Sequence, residues 1–290
     1  MDYIGVTPIS RRHIAKKPLI LEFQINQSVM IARNYSSTMT LVIALWLITM
    51  SCDENAGLPA SGKSASPSAT ANPNVRITNY SFDGKEGDPI PLDVANKWIT
   101  NYSSINAGAQ PAHFFGKNTL EKILSGSSCI GIRFYYSIDD SDTPSLLANG
   151  VDASGNDLSP AFGIRGKNSS VSLNVEPASL NMFAGTEGES IALDLSRRWV
   201  GNYNSINPGR IQAHFFGYEL INQILSQSGC VGIRAYYALN DAGVQQLLLV
   251  GVNGRGSNLL PLSSTVGRVS GGGGTIGDAS LPCPTYCSGP

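Results

Sequence analysis

Ala112-His113-Phe114-Phe115-Gly116 returns 101 residues later as Ala213-His214-Phe215-Phe216-Gly217, and the repeat extends well beyond these five positions. Phe82 to Leu158 maps onto Phe183 to Leu259 at the same offset of 101, without an insertion or deletion and with roughly half the pairs identical. Two copies of one unit therefore occupy most of the chain, and each pair of positions reports what that unit tolerates.

Upstream of the quoted block, Leu92, Ala95, Trp98, Ile99 and Tyr102 follow the spacing of an amphipathic helix, kept in the second copy as Leu193, Ser196, Trp199, Val200 and Tyr203. Gly108 and Gly209, with Pro208 before the latter, predict that this helix ends near Tyr102. Downstream, Leu120, Ile123 and Leu124 predict a second, shorter helix. From Cys129 the chain alternates as a strand, with Ile130, Ile132, Phe134 and Tyr136 on one face and Gly131, Arg133 and Tyr135 on the other. An aspartate-rich turn and the apolar run from Ser145 to Val151 predict an antiparallel return. The unit reads helix, helix, strand, strand, an α+β fold in two tandem copies. One hairpin is marginal alone, so the copies are expected to share a larger antiparallel sheet about a pseudo-two-fold, with helices on one side. The expected boundaries are a signal region at 1–51, a lipid-anchor cysteine and tether at 52–78, and a first repeat at 79–160. A linker at 161–181, a second repeat at 182–262 and a Gly-rich tail with a cysteine pair at 263–290 complete the chain.

Met39 to Met50 is an apolar run of 12 residues preceded by Arg33 and ending at Ser51-Cys52. That is the n-region and h-region of an export signal, too short for a comfortable membrane span. It resembles a bacterial lipoprotein signal with Cys52 as the lipidated residue, although Thr49 stands where such signals usually carry leucine. Met30 begins a signal of normal length, so residues 1–29 read as an upstream mis-assigned start. From Asp53 to about Asn74 the chain is rich in Ala, Ser, Pro, Gly and Asn, the composition of a flexible tether spanning roughly 25 Å. Asp53-Glu54 resembles the acidic sorting signal of surface-exposed lipoproteins in Bacteroidota. The expected address is the cell envelope, at the outer membrane or cell surface, with the membrane reached through a lipid anchor.

The formal net charge of -1 and the absence of a basic, aromatic-interleaved run in either repeat exclude a nucleic-acid partner. Of the five cysteines, Cys129 and Cys230 are repeat equivalents expected to pack as small apolar residues. Cys283 and Cys287 are candidates for a disulfide in an oxidising compartment; a bond between the copies, or from the tail to a core cysteine, is the alternative.

The blocks Ala213 to Gly217 and Gly229-Cys230-Val231-Gly232-Ile233-Arg234, then Tyr236-Tyr237 and a Cys-Pro tail, resemble uncharacterised exported tandem-repeat lipoproteins of Bacteroidota. The resemblance covers both copies and the tail. It implies the same cellular address and transfers no mechanism.

The retained polar residues His113/His214, Arg133/Arg234, Asp93/Asp194, Asp140/Asp241 and Asn101/Asn202 are the candidates for chemistry. A histidine with an aspartate can serve acid–base catalysis, but a histidine before two phenylalanines suits a hydrogen-bonded core edge. No nucleophile elbow, phosphate loop or His-x-x-x-His pair appears. Asp152 to Asp157 hints at a calcium loop, yet the second copy has lost its carboxylates and a glycine turn fits better. Neither a metal nor a cofactor is expected. Arg133, Tyr135, Arg234 and Tyr236, with His113 and His214, are the candidate binding residues, since tyrosine offers a flat ring and arginine a planar fork of donors beside a small glycine. The alternative for that face is packing, with each arginine paired to Asp93 or Asp194. The sequence reads as a non-enzymatic binding or interaction protein whose partner is a glycan or an envelope protein. A hydrolase of glycan or peptide using His113 or His214, and a purely structural envelope component, are the alternatives.

Overall fold

Leu247-Leu248-Leu249-Val250 is apolar at consecutive rather than alternate positions, which a strand requires when it is buried on both faces. The computed structural model describes residues 80–158, 162–177, 183–261 and 273–286. The export signal, Cys52, the tether and Cys287 lie outside the described residues.

The first half runs β1 (Asp88–Pro89), α1 (Leu92–Ile105), β2 (Ala112–Gly116), α2 (Lys117–Leu124), β3 (Gly131–Ile138), β4 (Pro144–Val151), β5 (Phe162–Arg165) and β6 (Lys167–Ser169). The second runs β7 (Glu189–Ala192), α3 (Leu193–Ile206), β8 (Ala213–Gly217), α4 (Tyr218–Leu225), β9 (Cys230–Leu239), β10 (Gln245–Asn253), β11 (Ile276–Asp278) and β12 (Leu281–Cys283). The fold is α+β with two antiparallel six-stranded sheets, ordered β1-β11-β10-β9-β2-β6 and β12-β8-β3-β4-β5-β7.

The hairpins form as their alternation predicts, with Gly131 opposite Val151 and Tyr135 opposite Leu147. The expectation of one shared sheet is corrected to two, because the Ala-His-Phe-Phe-Gly block of each half is a strand that pairs with the hairpin of the other. Ala112 to Gly116 runs beside Gly232 to Tyr236, and Ala213 to Gly217 beside Gly131 to Tyr135. All five residues of each block are buried. Three further readings change. The 161–181 stretch expected as a linker holds β5 and β6, and the 263–290 tail holds β11 and β12. The first helix continues past Tyr102 to Ile105, where Asn106 closes it by donating both its backbone N–H and its side-chain amide to the Tyr102 carbonyl.

The faces of β10 divide the core. Leu247 and Leu249 join Phe115, Ile132, Phe134, Phe216 and Ile233 in a cluster that also takes Leu120 of α2 and Leu220, Ile221 and Ile224 of α4. Leu248 and Val250 face the opposite way, onto Ala95 and Ile99 of α1. Leu147 and Ile191 meet Trp199 of α3 on the outer face of the other sheet. Helices therefore cover separate faces rather than one side. Among the described residues no helix is long and apolar enough to cross a membrane.

Candidate functional site

The glycine closing each Ala-His-Phe-Phe-Gly block is fixed by contact with the other half. Gly116 N–H donates to the Glu187 carbonyl and Asn118 N–H to the Gly185 carbonyl, both at 2.8 Å. Gly217 and Glu219 do the same with Glu86 and Gly84, at 2.7 and 2.9 Å. These bonds satisfy the free N–H groups at the starts of α2 and α4, where no side chain caps. A Cβ on Gly116 would stand 2.4 Å from the Gly185 carbonyl carbon, so the docking requires glycine.

The retained polar residues spread through this framework rather than converging. Asn101 donates to the Leu239 carbonyl and Asn202 to the Ile138 carbonyl, each at 3.1 Å and each across the halves. Asp140 pairs with Arg198 at 2.6 Å, and Asp241 with Lys97 at 2.8 Å. Asp93 and Asp194 lie in the first turns of α1 and α3. His113 and His214 are enclosed, and burial holds them at about 4 and about 3. His214 Nδ1 lies 2.7 Å from Ser280 Oγ, while its Nε2 and both ring nitrogens of His113 make no well-formed hydrogen bond. Each ring meets a tyrosine edge-on, His113 against Tyr237 and His214 against Tyr136, both at 5.6 Å.

Arg133 and Arg234 are 1% and 0% exposed. Their expected partners are corrected: neither reaches Asp93 or Asp194, because the loop 22–24 residues downstream folds back onto them. Arg133 Nη1 donates to Asp157 Oδ1 at 2.6 Å and Nη2 to the Gly155 carbonyl at 3.1 Å. Tyr135 Oη donates to Asp157 Oδ2 at 2.7 Å. Arg234 donates to Asn258 Oδ1, to the Gly256 carbonyl at 3.0 Å and to Ser169 Oγ at 2.7 Å. Tyr236 Oη donates to the Val171 carbonyl at 2.9 Å and accepts from Asn258 Nδ2 at 2.7 Å. Nor is there room beside Gly131, because a Cβ there would meet the Phe215 ring at 2.6 Å. This face is closed by packing, so its arginines and tyrosines hold loops.

The loop at Asp152 is built by its own backbone. Asp152 Oδ1 accepts from Ser154 N and Asn156 N, both at 2.9 Å, and Asn253 Oδ1 accepts likewise from Arg255 N and Ser257 N. Among the described residues no three His, Cys, Asp or Glu side chains gather as metal ligands. Cys129 and Cys230 are free thiols and Cys283 is disulfide-bonded. A bond between the copies, or from the tail to Cys129 or Cys230, is therefore absent.

The first half carries a cavity among the described residues. About 530 Å³ opens between α2 and the sheet, lined by Asn118, Thr119, Lys122, Ile123, Gly126, Ala148, Gly150, Ile164, Thr186 and Ser190. That volume lies within the range of roughly 300–1,000 Å³ usual for small-molecule sites. A second cavity of about 460 Å³ shares its Thr186 and Gly188 wall. At the matching places in the second half, Thr119 becomes Leu220, Ala148 becomes Leu249 and Gly126 becomes Gln227. Leu220 is wedged between Gly87 and Gly277, so that a Cβ on either would lie 2.5 or 2.7 Å from its Cδ2. Gln227 Oε1 stands 2.9 Å from the point a Cβ would take on Gly251. Sequence reading missed this site because it followed the retained pairs. The signal lay in the pairs that differ.

The protein-family models, the curated proteins and the solved structures contain no match to this chain.

Proposed function

We propose that this chain is an exported, lipid-anchored protein of the cell envelope that binds a ligand without transforming it. In this reading one fold is used twice about an approximate two-fold, the first half keeping a ligand site and the second half given over to support. The observation that carries it is the cavity beside α2, at whose matching positions the second half carries Leu220, Leu249 and Gln227. The cavity mouth offers the amide of Asn118, the hydroxyls of Thr119 and Ser190 and the ammonium of Lys122, with no carboxylate among its described lining residues, which suits a hydroxyl-rich or acidic glycan. The address is supported by the sequence of residues 30–54, with Cys52 as the lipidated residue and the membrane as the partner on that side.

A binding role also fits the histidines better than hydrolysis does. A general base must reach the proton it takes, and His113 and His214 are buried and held neutral well below pH 6.

Full-length protein solubilised in detergent is expected to capture glycan from envelope extract, and Thr119→Leu, which installs the second-half residue, is expected to abolish capture. Capture unchanged by Thr119→Leu would refute the cavity as the site. In parallel, Cys52→Ala is expected to lose fatty-acid label and to release the protein from membranes; label retained in that variant would refute the anchor.

A further inference from the structure

The two copies of one edge strand differ at the positions that face outward. β1 and β7 occupy equivalent places in the repeat, and each ends its sheet, β1 beside β11 and β7 beside β5. In an antiparallel ladder alternate residues turn their N–H and C=O groups to one neighbour, and the residues between turn theirs to the other side. Ile90 N–H donates to the Ile276 carbonyl at 2.9 Å, so positions 89 and 91 face away from that sheet. Both are proline, which has no N–H to offer and blunts an exposed edge.

β7 has no such protection. Gly166 N–H donates to the Leu146 carbonyl at 3.0 Å, which turns Ile164 to β4, and Gly163 and Arg165 to β7. Their partners there are Ile191 and Glu189. Ser190 and Ala192, which replace Pro89 and Pro91, therefore direct their N–H groups outward, with the Ser190 carbonyl between them. Both residues are exposed, and among the described residues β5 is the sole strand beside β7. The Ala192 carbonyl is already used, since it accepts from Ser196 Oγ at 3.1 Å where α3 begins. Donor, acceptor, donor along a strand, with the two donors about 7 Å apart, is the pattern that an extended polypeptide backbone completes.

Side chains select among such polypeptides. Ser190 also lines the cavity beside α2, so a strand added to β7 places alternate side chains on the face that carries Lys122, with no carboxylate among the described lining residues. A carboxylate side chain complements that rim. A second copy of β7 would bring only Ser190 and Ala192 to the same face, with no charge to meet Lys122.

We propose that the outer edge of β7 takes an extended, acidic segment of a partner polypeptide as a further strand of its sheet. This goes beyond the cavity ligand argued above, since it rests on the backbone of β7.

Random heptapeptides displayed on phage and selected against the full-length, detergent-solubilised protein supply the probes, and the enriched sequences are then titrated as synthetic peptides. They are expected to carry Asp or Glu flanked by β-branched residues, and to protect the Ser190 and Ala192 amides from hydrogen exchange. Ser190→Pro, which installs the first-copy residue, is expected to weaken them about ten-fold or more. Ser190→Ala keeps the N–H and is expected to change affinity less than about two-fold. Lys122→Gln, matching Gln223 of the second copy, is expected to weaken them about three-fold. Enrichment of no peptide, or binding that leaves both amides unprotected, would overturn the strand addition; amide protection decides even if Ser190→Pro folds poorly. Enriched peptides that lack an acidic residue and ignore Lys122→Gln would overturn the acidic class. A dimer of the parent protein that Ser190→Pro dissociates would overturn the partner in favour of a second copy.

Discussion

Arg133 and Arg234 occupy matching places in the two halves, yet one faces the carboxylate of Asp157 and the other the amide of Asn258. In the first half both Arg133 and Tyr135 donate to the carboxylate. In the second, Asn258 accepts from the guanidinium and donates to Tyr236, whose hydroxyl donates to the Val171 carbonyl. A fully enclosed guanidinium is tolerated because both terminal nitrogens of each arginine meet oxygens; Arg234 Nε also does, while Arg133 Nε has no well-formed hydrogen bond. Other buried ionisable groups are less well served, and they set the pH dependence. His113 and His214 stay neutral in the folded chain but charge in the unfolded one. Their contribution is complete above about 6.5 and is lost as pH falls through the windows down to about 4 and about 3. Asp278 acts in the opposite sense. Burial raises it from 3.8 to about 7 and its Oδ1 has no partner, so the unfolded chain ionises first and stability falls as pH rises between those values. Asp278→Asn is therefore expected to stabilise by roughly 2–4 kcal/mol at pH 8 and to do little at pH 3.5. Denaturant titrations at the two pH values measure it, and an equal gain at both would show that ionisation of Asp278 is not the cause.

At the scale of elements, α2 and α4 start without a capping side chain and borrow backbone carbonyls from the far half instead. Those carbonyls stand in loops stiffened from within, where Glu86 accepts from Asp83 N and Gly84 N, and Glu187 from Ala184 N and Gly185 N. The helix starts and the loops thus hold one another, and glycine at 116 and 217 lets the backbones approach. Gly116→Ala places a methyl against the backbone carbonyl of Gly185, with no flexible side chain able to yield. Its effect is expected to be severe, at least 3 kcal/mol in denaturant unfolding, from overpacking together with the loss of both loop bonds. Gly201 in α3 is the internal control. It is helical with open space around it, so Gly201→Ala is expected to stabilise by about 0.5–1 kcal/mol. A Gly116→Ala variant as stable as the parent would show that the loop can retreat and that this seam is not what fixes the glycine.

At the scale of the whole molecule, local pattern and long-range pairing part company. The helices and hairpins were legible because 3.6-residue and two-residue periods are written in consecutive residues. β2 and β8 were not, because five residues buried on both faces have no alternation to read. The three- and four-residue strands β5, β6, β11 and β12 are too short to show a period. Nothing local to Phe114 says that its neighbour across the sheet is Arg234 rather than Arg133. The candidate site was hidden for a related reason: retained pairs such as Trp98/Trp199 report the shared framework, while Gly126/Gln227 and Thr119/Leu220 report the difference. The pairing that went unread has a direct consequence. Each sheet is joined across the halves, at β1 with β11 and β2 with β9 in one, and at β3 with β8 and β5 with β7 in the other. α1 also packs on β9 and α3 on β3, so each long helix covers strands of the opposite half. A half produced alone would expose the edge of its central hairpin and leave its long helix without a surface, a state prone to unfold or to pair with another copy. Residues 75–181 and 182–290, expressed separately, are therefore expected to show no cooperative unfolding as monomers. Mixed in equal amounts, they are expected to form a one-to-one complex with the circular dichroism and melting profile of the intact chain. A single fragment that melts cooperatively as a monomer would mean that each half can close its own sheet, and that the cross-pairing is not required for folding.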